Sequence, residues 1–131
     1  AVRAGVAAAG GEGVVEHFVL ANLHEQIMPT ILGKGPKRDI ESLGVIETAS
    51  AAAIVEAADA ACKAAPVSLV TVHLANHIGG KGYATFTGSV ADVEASVAAG
   101  GRAAERGLVD SVVIPNPYPE LTAYLKRKVE W

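Results

Sequence analysis

Asn76-His77-Ile78-Gly79-Gly80-Lys81 places an imidazole and an ammonium beside two glycines. Glycine tolerates positive φ and lets backbones approach closely. Successive N–H groups in such a turn can bind anions, and His77 could add a pH-dependent charge. The GxxxxGK[ST] spacing of a P-loop is absent, so Gly79-Gly80-Lys81 is not that motif. Read from its residues alone, the stretch is more simply a hairpin turn with an exposed histidine.

Other reactive side chains lack partners in sequence. His73 and His77 are four apart but across a strand end and a loop, and a zinc pair at that spacing needs a helix. His17 and His24 have no ligand neighbours. Cys62, the one cysteine, excludes an intrachain disulfide and reads as a small core residue. Glu47 could serve as a general base, but no nucleophile stands near it, and a strand-end or helix-capping role fits better. Gly10-Gly11-Glu12-Gly13 lies between a helix and a strand, the wrong order for a dinucleotide fingerprint.

The elements around these residues follow from patterning. Ser42–Thr48 reads as a strand. Ser50 opens a helix to about Ala65, with Ile54, Val55, Ala58, Ala61, Cys62 and Ala65 on one stripe. Glu56, Asp59 and Lys63 fall on the other face, with Asp59 and Lys63 paired at i, i+4. Pro66 stops that helix. Strands follow at Val67–Ala75 and Lys81–Thr87. Ser89-Val90-Ala91-Asp92 resembles a capping box, and opens a helix whose face is Val90, Val93, Val97, Gly101 and Ala104, with Gly107 as its end. Leu108–Ile114 is the last strand and Glu120–Lys128 a short terminal helix. The order βαββαβ predicts an α/β (α+β) fold of ferredoxin-like type, its antiparallel-rich sheet carrying both helices on one face.

The beginning of the chain resembles its end. With Val15 placed on Val109, Glu16 meets Asp110, Asn22 meets Asn116, His24 meets Tyr118, Ile27 meets Leu121 and Ile31 meets Leu125. Such self-similarity implies a tandem repeat. The expected organisation is residues 1–32 as the C-terminal part of a first domain, 33–41 as linker and 42–131 as a complete second domain. Val14–Ala21 is then a strand matching Leu108–Ile114. Without its own domain it would leave edge hydrogen bonds unpaired and apolar residues such as Phe18 and Leu20 exposed.

Composition narrows the function classes. A net charge of −3 over 131 residues gives no electrostatic reason to expect nucleic acid or an anionic membrane. No apolar run reaches the ~18–20 residues that span a bilayer. Ala1–Gly10 lacks the charged and apolar regions of a signal peptide. Half the residues are apolar but only 5% are aromatic, which favours close backbone packing over a deep ligand pocket.

Residues Leu43–Leu125 resemble the bacterial microcompartment (BMC) shell domain. The matching stretches are Leu43-Gly44-Val45-Ile46-Glu47-Thr48, Ala57-Ala58-Asp59-Ala60, Lys63-Ala64-Ala65-Pro66-Val67, Gly79-Gly80-Lys81, Gly88-Ser89-Val90-Ala91-Asp92-Val93 and Val113-Ile114-Pro115-Asn116-Pro117. Each alone is weak, and their order and spacing carry the match. The chain resembles most the tandem-domain, trimer-forming type (BMC-T), lacking the first part of its first domain. The resemblance implies a structural shell subunit rather than an enzyme, located in a microcompartment shell within the bacterial cytoplasm. It implies homotrimers that form pseudohexagonal discs, tile with other shell proteins around encapsulated enzymes, and pass small metabolites through a central pore. Asn76, His77, Ile78, Gly79, Gly80 and Lys81 then line the pore. Lys63 matches the family's lateral-edge lysine. Asn116, with Asn22 as its repeat mate, stands where many members carry an edge arginine, so that contact is weaker or made differently here. No metal or cofactor is expected on the residues present. Some relatives hold an iron–sulfur cluster through cysteines in a first-domain pore loop that this sequence does not contain. An electron-relay shell protein is therefore one alternative, and an oligomeric ferredoxin-like ligand-binding regulator is another.

Overall fold

The computed structural model describes residues 1–126. Its centre is a four-stranded antiparallel sheet in the order β2-β3-β1-β4, built from β1 (Leu43–Thr48), β2 (Ser68–Leu74), β3 (Gly82–Thr87) and β4 (Leu108–Ile114). Two helices, α3 (Ala51–Ala64) and α4 (Val90–Ala104), connect the strands in the expected βαββαβ order. Ahead of them lie α1 (Val2–Ala9) and α2 (Ile27–Ile31), and α5 (Pro119–Lys126) follows β4. Residues 127 and 128 of the expected terminal helix fall outside the described residues.

Both long helices begin at a serine. The Ser50 Oγ accepts the Ala53 N–H at 3.0 Å, and the Ser89 Oγ accepts the Asp92 N–H at 3.2 Å. Each satisfies a backbone donor that the helix itself leaves unpaired. The capping-box analogy holds only halfway: the Asp92 carboxylate takes the Ser89 hydroxyl at 2.7 Å, where a capping box would bond the Ser89 N–H.

Strand alternation assigns the faces. Ile46, Ala84, Phe86 and Leu69 turn toward the helices and are fully buried. Small residues let the helices sit close. A Cβ added at Gly100 would lie 2.5 Å from Ile46 Cδ1 and 2.8 Å from the Ala57 carbonyl oxygen. The predicted α4 face is therefore shifted: Val93, Ser96, Val97, Gly100 and Ala104 are buried, whereas Gly101 is half-buried. The helix also ends earlier than Gly107, at Ala104, and a 3₁₀ turn over Glu105–Gly107 leads into β4.

One expectation about α3 needs amendment. Its apolar stripe is correct in outline, with Ile54, Ala58, Ala61 and Cys62 buried. Asp59, read as solvent-facing, is only 4% exposed, because the segment before α2 passes over it. Burial, then the negative charge of Asp59, raises the Cys62 thiol from 9.0 to about 12. The native thiol should therefore resist iodoacetamide at pH 8 and react once urea unfolds the chain, as mass spectrometry would show. Its linkage runs one way. Above about pH 9 the unfolded chain loses this proton and the folded chain keeps it, so this contribution to stability declines until pH reaches about 12.

The predicted strand Val14–Ala21 does not form. The segment is extended but pairs with no strand, and Val15 and Val19 are 98% and 73% exposed. By contrast, β4 gains its ladder from β1. Among the described residues no strand pairs with Val14–Ala21, and the ladders join only the strands β1, β2, β3 and β4 to one another. Phe18 and Leu20 are half-buried rather than exposed, since the segment lies along α3. Its course is marked by three bonds. The Ser50 hydroxyl donates to the Glu16 carboxylate, the His24 N–H donates to Asp59 Oδ1 at 2.7 Å, and Gln26 reaches the start of β2.

Candidate functional site

The turn joining β2 to β3 holds all six residues expected to line a pore. Ala75 and His77 have φ of 57° and 60°, and Gly79 and Gly80 have φ of 67° and 84°. Four left-handed residues in six positions curl the chain back on itself, and glycine supplies two of them without steric cost. Nothing in this chain lies within 4 Å of a Cβ built on Gly79 or Gly80, so their glycines serve the turn itself here.

The turn's hydrogen bonds limit the anion-binding expectation. The N–H groups of Ala75, Asn76, Ile78, Gly80 and Lys81 donate to carbonyls of Lys81, Leu74, Ala75, Ala75 and Ile78. Only the His77 and Gly79 N–H groups remain for a ligand among the described residues. Asn76, His77, Gly79, Gly80 and Lys81 are exposed, and Ile78 is half-buried. The Asn76 carbonyl bonds His73 Nε2 at 2.7 Å, and the His73 ring stacks on Tyr83 with centroids 5.1 Å apart. The turn is thus braced from the sheet face opposite the helices.

That face carries a polar row, Asp110–Glu47–Tyr83–His73, set by the strand register. Glu47 lies near the end of β1 and does not cap α3, whose cap is Ser50. It accepts from Lys81 Nζ at 2.9 Å, tying the turn to the neighbouring strand. Tyr83 has its phenol raised by burial, then by Tyr124. The next row on this face contains Thr85, which is 3% exposed.

The edge residues separate into two places. Lys63, in the last turn of α3, donates to Asp59 Oδ2 at 2.5 Å while keeping its ammonium partly in solvent. The same carboxylate holds the His24 N–H, so the exposed Asn22 sits on the segment that passes this pair. Asn116 follows β4, the opposite edge of the sheet from β2. Within one chain, then, the structure brings Asn22 toward Lys63 and leaves Asn116 apart.

Sequence reading missed Asp59 as an anchor and Gln26 altogether. Asp59 had a signal, since an Asp four residues before a Lys can turn inward when a backbone donor arrives. Gln26 had none, because its partners lie 41 and 43 residues away. No group of three or more His, Cys, Asp or Glu suited to a metal occurs among the described residues. A thiolate-held iron–sulfur cluster does not fit the residues present: Cys62 stands alone, buried, with a thiol held in its protonated form. No described helix is long and apolar enough to cross a membrane.

A β2-β3-β1-β4 antiparallel sheet, two small-residue helices on one face and a glycine turn at the β2–β3 end define a split-βαβ module with a protruding loop. Residues 42–117 match the BMC domain, and the chain belongs to that family. It is similar to the bacterial microcompartment shell protein PduT of Citrobacter freundii, 41% identical over 113 residues, which covers 85% of this chain and 61% of the relative. It is 44% identical over 84 residues to the shell protein EutM of Salmonella typhimurium, covering 63% of this chain and 85% of EutM. A crystal structure of a microcompartments protein from Desulfitobacterium hafniense superposes with a TM-score of 0.79 at 45% identity, covering 86% of this chain and 64% of that one. The chain therefore spans less than two thirds of PduT and of the Desulfitobacterium protein. These relatives are shell or microcompartment proteins, which sets this family among structural proteins rather than enzymes.

Proposed function

We propose that the chain is part of a structural subunit of a bacterial microcompartment shell, in the cytoplasm, and that its task is lateral tiling with selective passage. The observation that carries this reading is the BMC-domain match over residues 42–117. On this reading, residues 1–32 are the C-terminal part of a first BMC domain, 33–41 a linker and 42–131 the second domain. Three subunits close a pseudohexagonal disc. Its partners are its own copies, other shell proteins and enclosed enzymes, with no role for nucleic acid or membrane. The same backbone turn recurs 94 residues apart, with Ile27 N–H to His24 carbonyl and Leu121 N–H to Tyr118 carbonyl both at 3.0 Å, which supports the tandem reading.

In this arrangement the turn over Asn76–Lys81 lines the pore, and Lys63, Asn22 and Asn116 lie at the tiling edge. Lys63 suits an edge because Asp59 holds its ammonium by one proton while the other two are free to turn toward a neighbour's carbonyls. Asparagine at 22 and 116 reaches less far than arginine and carries no charge, so lysine must supply the cationic contact. No metal or cofactor is required of these residues. Neither a ligand-sensing regulator nor an electron relay draws support from the described residues or the relatives.

Negative-stain electron microscopy at low and high salt tests the reading. Hexagonally tiled sheets or discs with a central hole are expected without ligand. Lys63→Ala should leave discs intact but reduce tiled sheets by an order of magnitude or more, since the edge recurs around each disc. Dispersed particles under every condition, with a monomer or dimer by light scattering, would overturn it.

A further inference from the structure

The outer edge of β2 is an open row of N–H and C=O groups, the kind of edge that recruits foreign strands. Here a side chain covers it. Gln26 Nε2 donates to the Val67 carbonyl at 3.0 Å, and Gln26 Oε1 accepts the Leu69 N–H at 2.8 Å. One primary amide thus takes the place of a peptide group on a neighbouring strand. On either side the tail is fixed by His24 N–H on Asp59 and by Ile27, which is fully buried.

The chain carries a second tail of the same design after β4. Residue for residue, His24, Gln26 and Ile27 correspond to Tyr118, Glu120 and Leu121. The apolar and turn positions are kept, and the amide is not. A glutamine offers both a donor and an acceptor, whereas an ionised glutamate only accepts. Glu120 in place of Gln26 would set a carboxylate oxygen against the Val67 carbonyl, two acceptors at hydrogen-bond distance in a site where Val67 is 3% exposed.

We infer that Gln26 is a specificity-determining residue for domain order: the β2 edge admits the amide-bearing first tail and rejects the second tail because of Glu120. This rests on the tandem reading above. It rests the choice between tails on one donor atom, the Gln26 amide nitrogen, which the second tail lacks because Glu120 presents a carboxylate oxygen there. The device is repulsive as well as attractive, which is how close paralogous surfaces are told apart.

The test uses the full chain carrying Gln26→Glu, which should loosen its own tail, kept dilute so that no sheets form. Three synthetic peptides are added in turn: residues 16–31, residues 110–125, and residues 110–125 with Glu120→Gln. Amide hydrogen exchange at Leu69, whose N–H faces the edge, reports occupancy. Phe86 in the central strand β3 reports the fold, and Gln26→Leu replaces the host if Phe86 loses protection. Without peptide, Leu69 should exchange at least about tenfold faster than in the unmutated chain. Peptide 16–31 and the Glu120→Gln peptide should restore its protection, and the native 110–125 peptide should not. Equal protection by both 110–125 peptides would overturn the inference, as would failure of the Glu120→Gln peptide where 16–31 succeeds. Unchanged exchange at Leu69 in both hosts would also overturn it. Sheet formation plays no part in these readings, so failure of the shell proposal shows separately, in micrographs of the unmutated protein.

Discussion

Replacing Ile27 by alanine should free the first tail from the domain while the domain itself stays folded. Ile27 is fully buried at the start of α2, which packs on β2, and it joins the same core cluster as Ile54, Leu69 and Phe86. Truncation removes three carbons from a site that cannot collapse, because the sheet edge on one side and α3 on the other are held by hydrogen bonds. The expected loss is about 2–4 kcal/mol of docking free energy. The polar contacts at His24 and Gln26 cannot offset it, since each contributes about 1 kcal/mol net. Hydrogen exchange should show residues 22–32 losing protection by two orders of magnitude or more, with Phe86 unaffected. Protection of His24 and Leu69 within twofold of the unmutated chain would show that Ile27 is not the anchor.

Gly100→Val should damage the domain core directly. Its added Cβ would come 2.5 Å from Ile46 Cδ1 and 2.8 Å from the Ala57 carbonyl oxygen, before either γ-methyl is placed. Ile46 can swing its terminal methyl aside. The carbonyl belongs to the backbone of α3 and moves only if the helix moves. Ordinary helix propensity favours valine over a mid-helix glycine, by less than about 1 kcal/mol. Overpacking against backbone costs about 3 kcal/mol and wins. The urea midpoint should fall while the slope stays constant. A midpoint at or above that of the unmutated protein would mean that α3 and α4 are not in close contact at Gly100.

Much of the domain was legible because its signals are local. The strand at Leu108–Ile114, the serine caps at Ser50 and Ser89, and the proline stop after Ala65 each depend on a few neighbouring residues. The small-residue pattern of α3 and α4 pointed to close packing in the same way. The glycine turn at Asn76–Lys81 could be placed at the β2–β3 junction for the same reason, though its internal hydrogen bonds could not be counted beforehand. The strand expected at Val14–Ala21 shows the limit of that reasoning. Its residues have the composition of β4, yet a strand exists only where another supplies its hydrogen bonds, and composition says nothing of partners.

What the sequence determined by itself is the module: its element types, their order and the buried stripe of α3 in outline, because hydrophobic period and capping chemistry act over single turns and single pleats. Only the tertiary structure decided that Asp59 is buried under the tail, that Lys81 pairs with Glu47, and that Gln26 completes the β2 edge. Each of those pairs or covers groups 34 to 43 residues apart. A polar side chain's role there depends on which unpaired backbone or charge the fold carries to it, and that is a property of the closed sheet rather than of any stretch of chain.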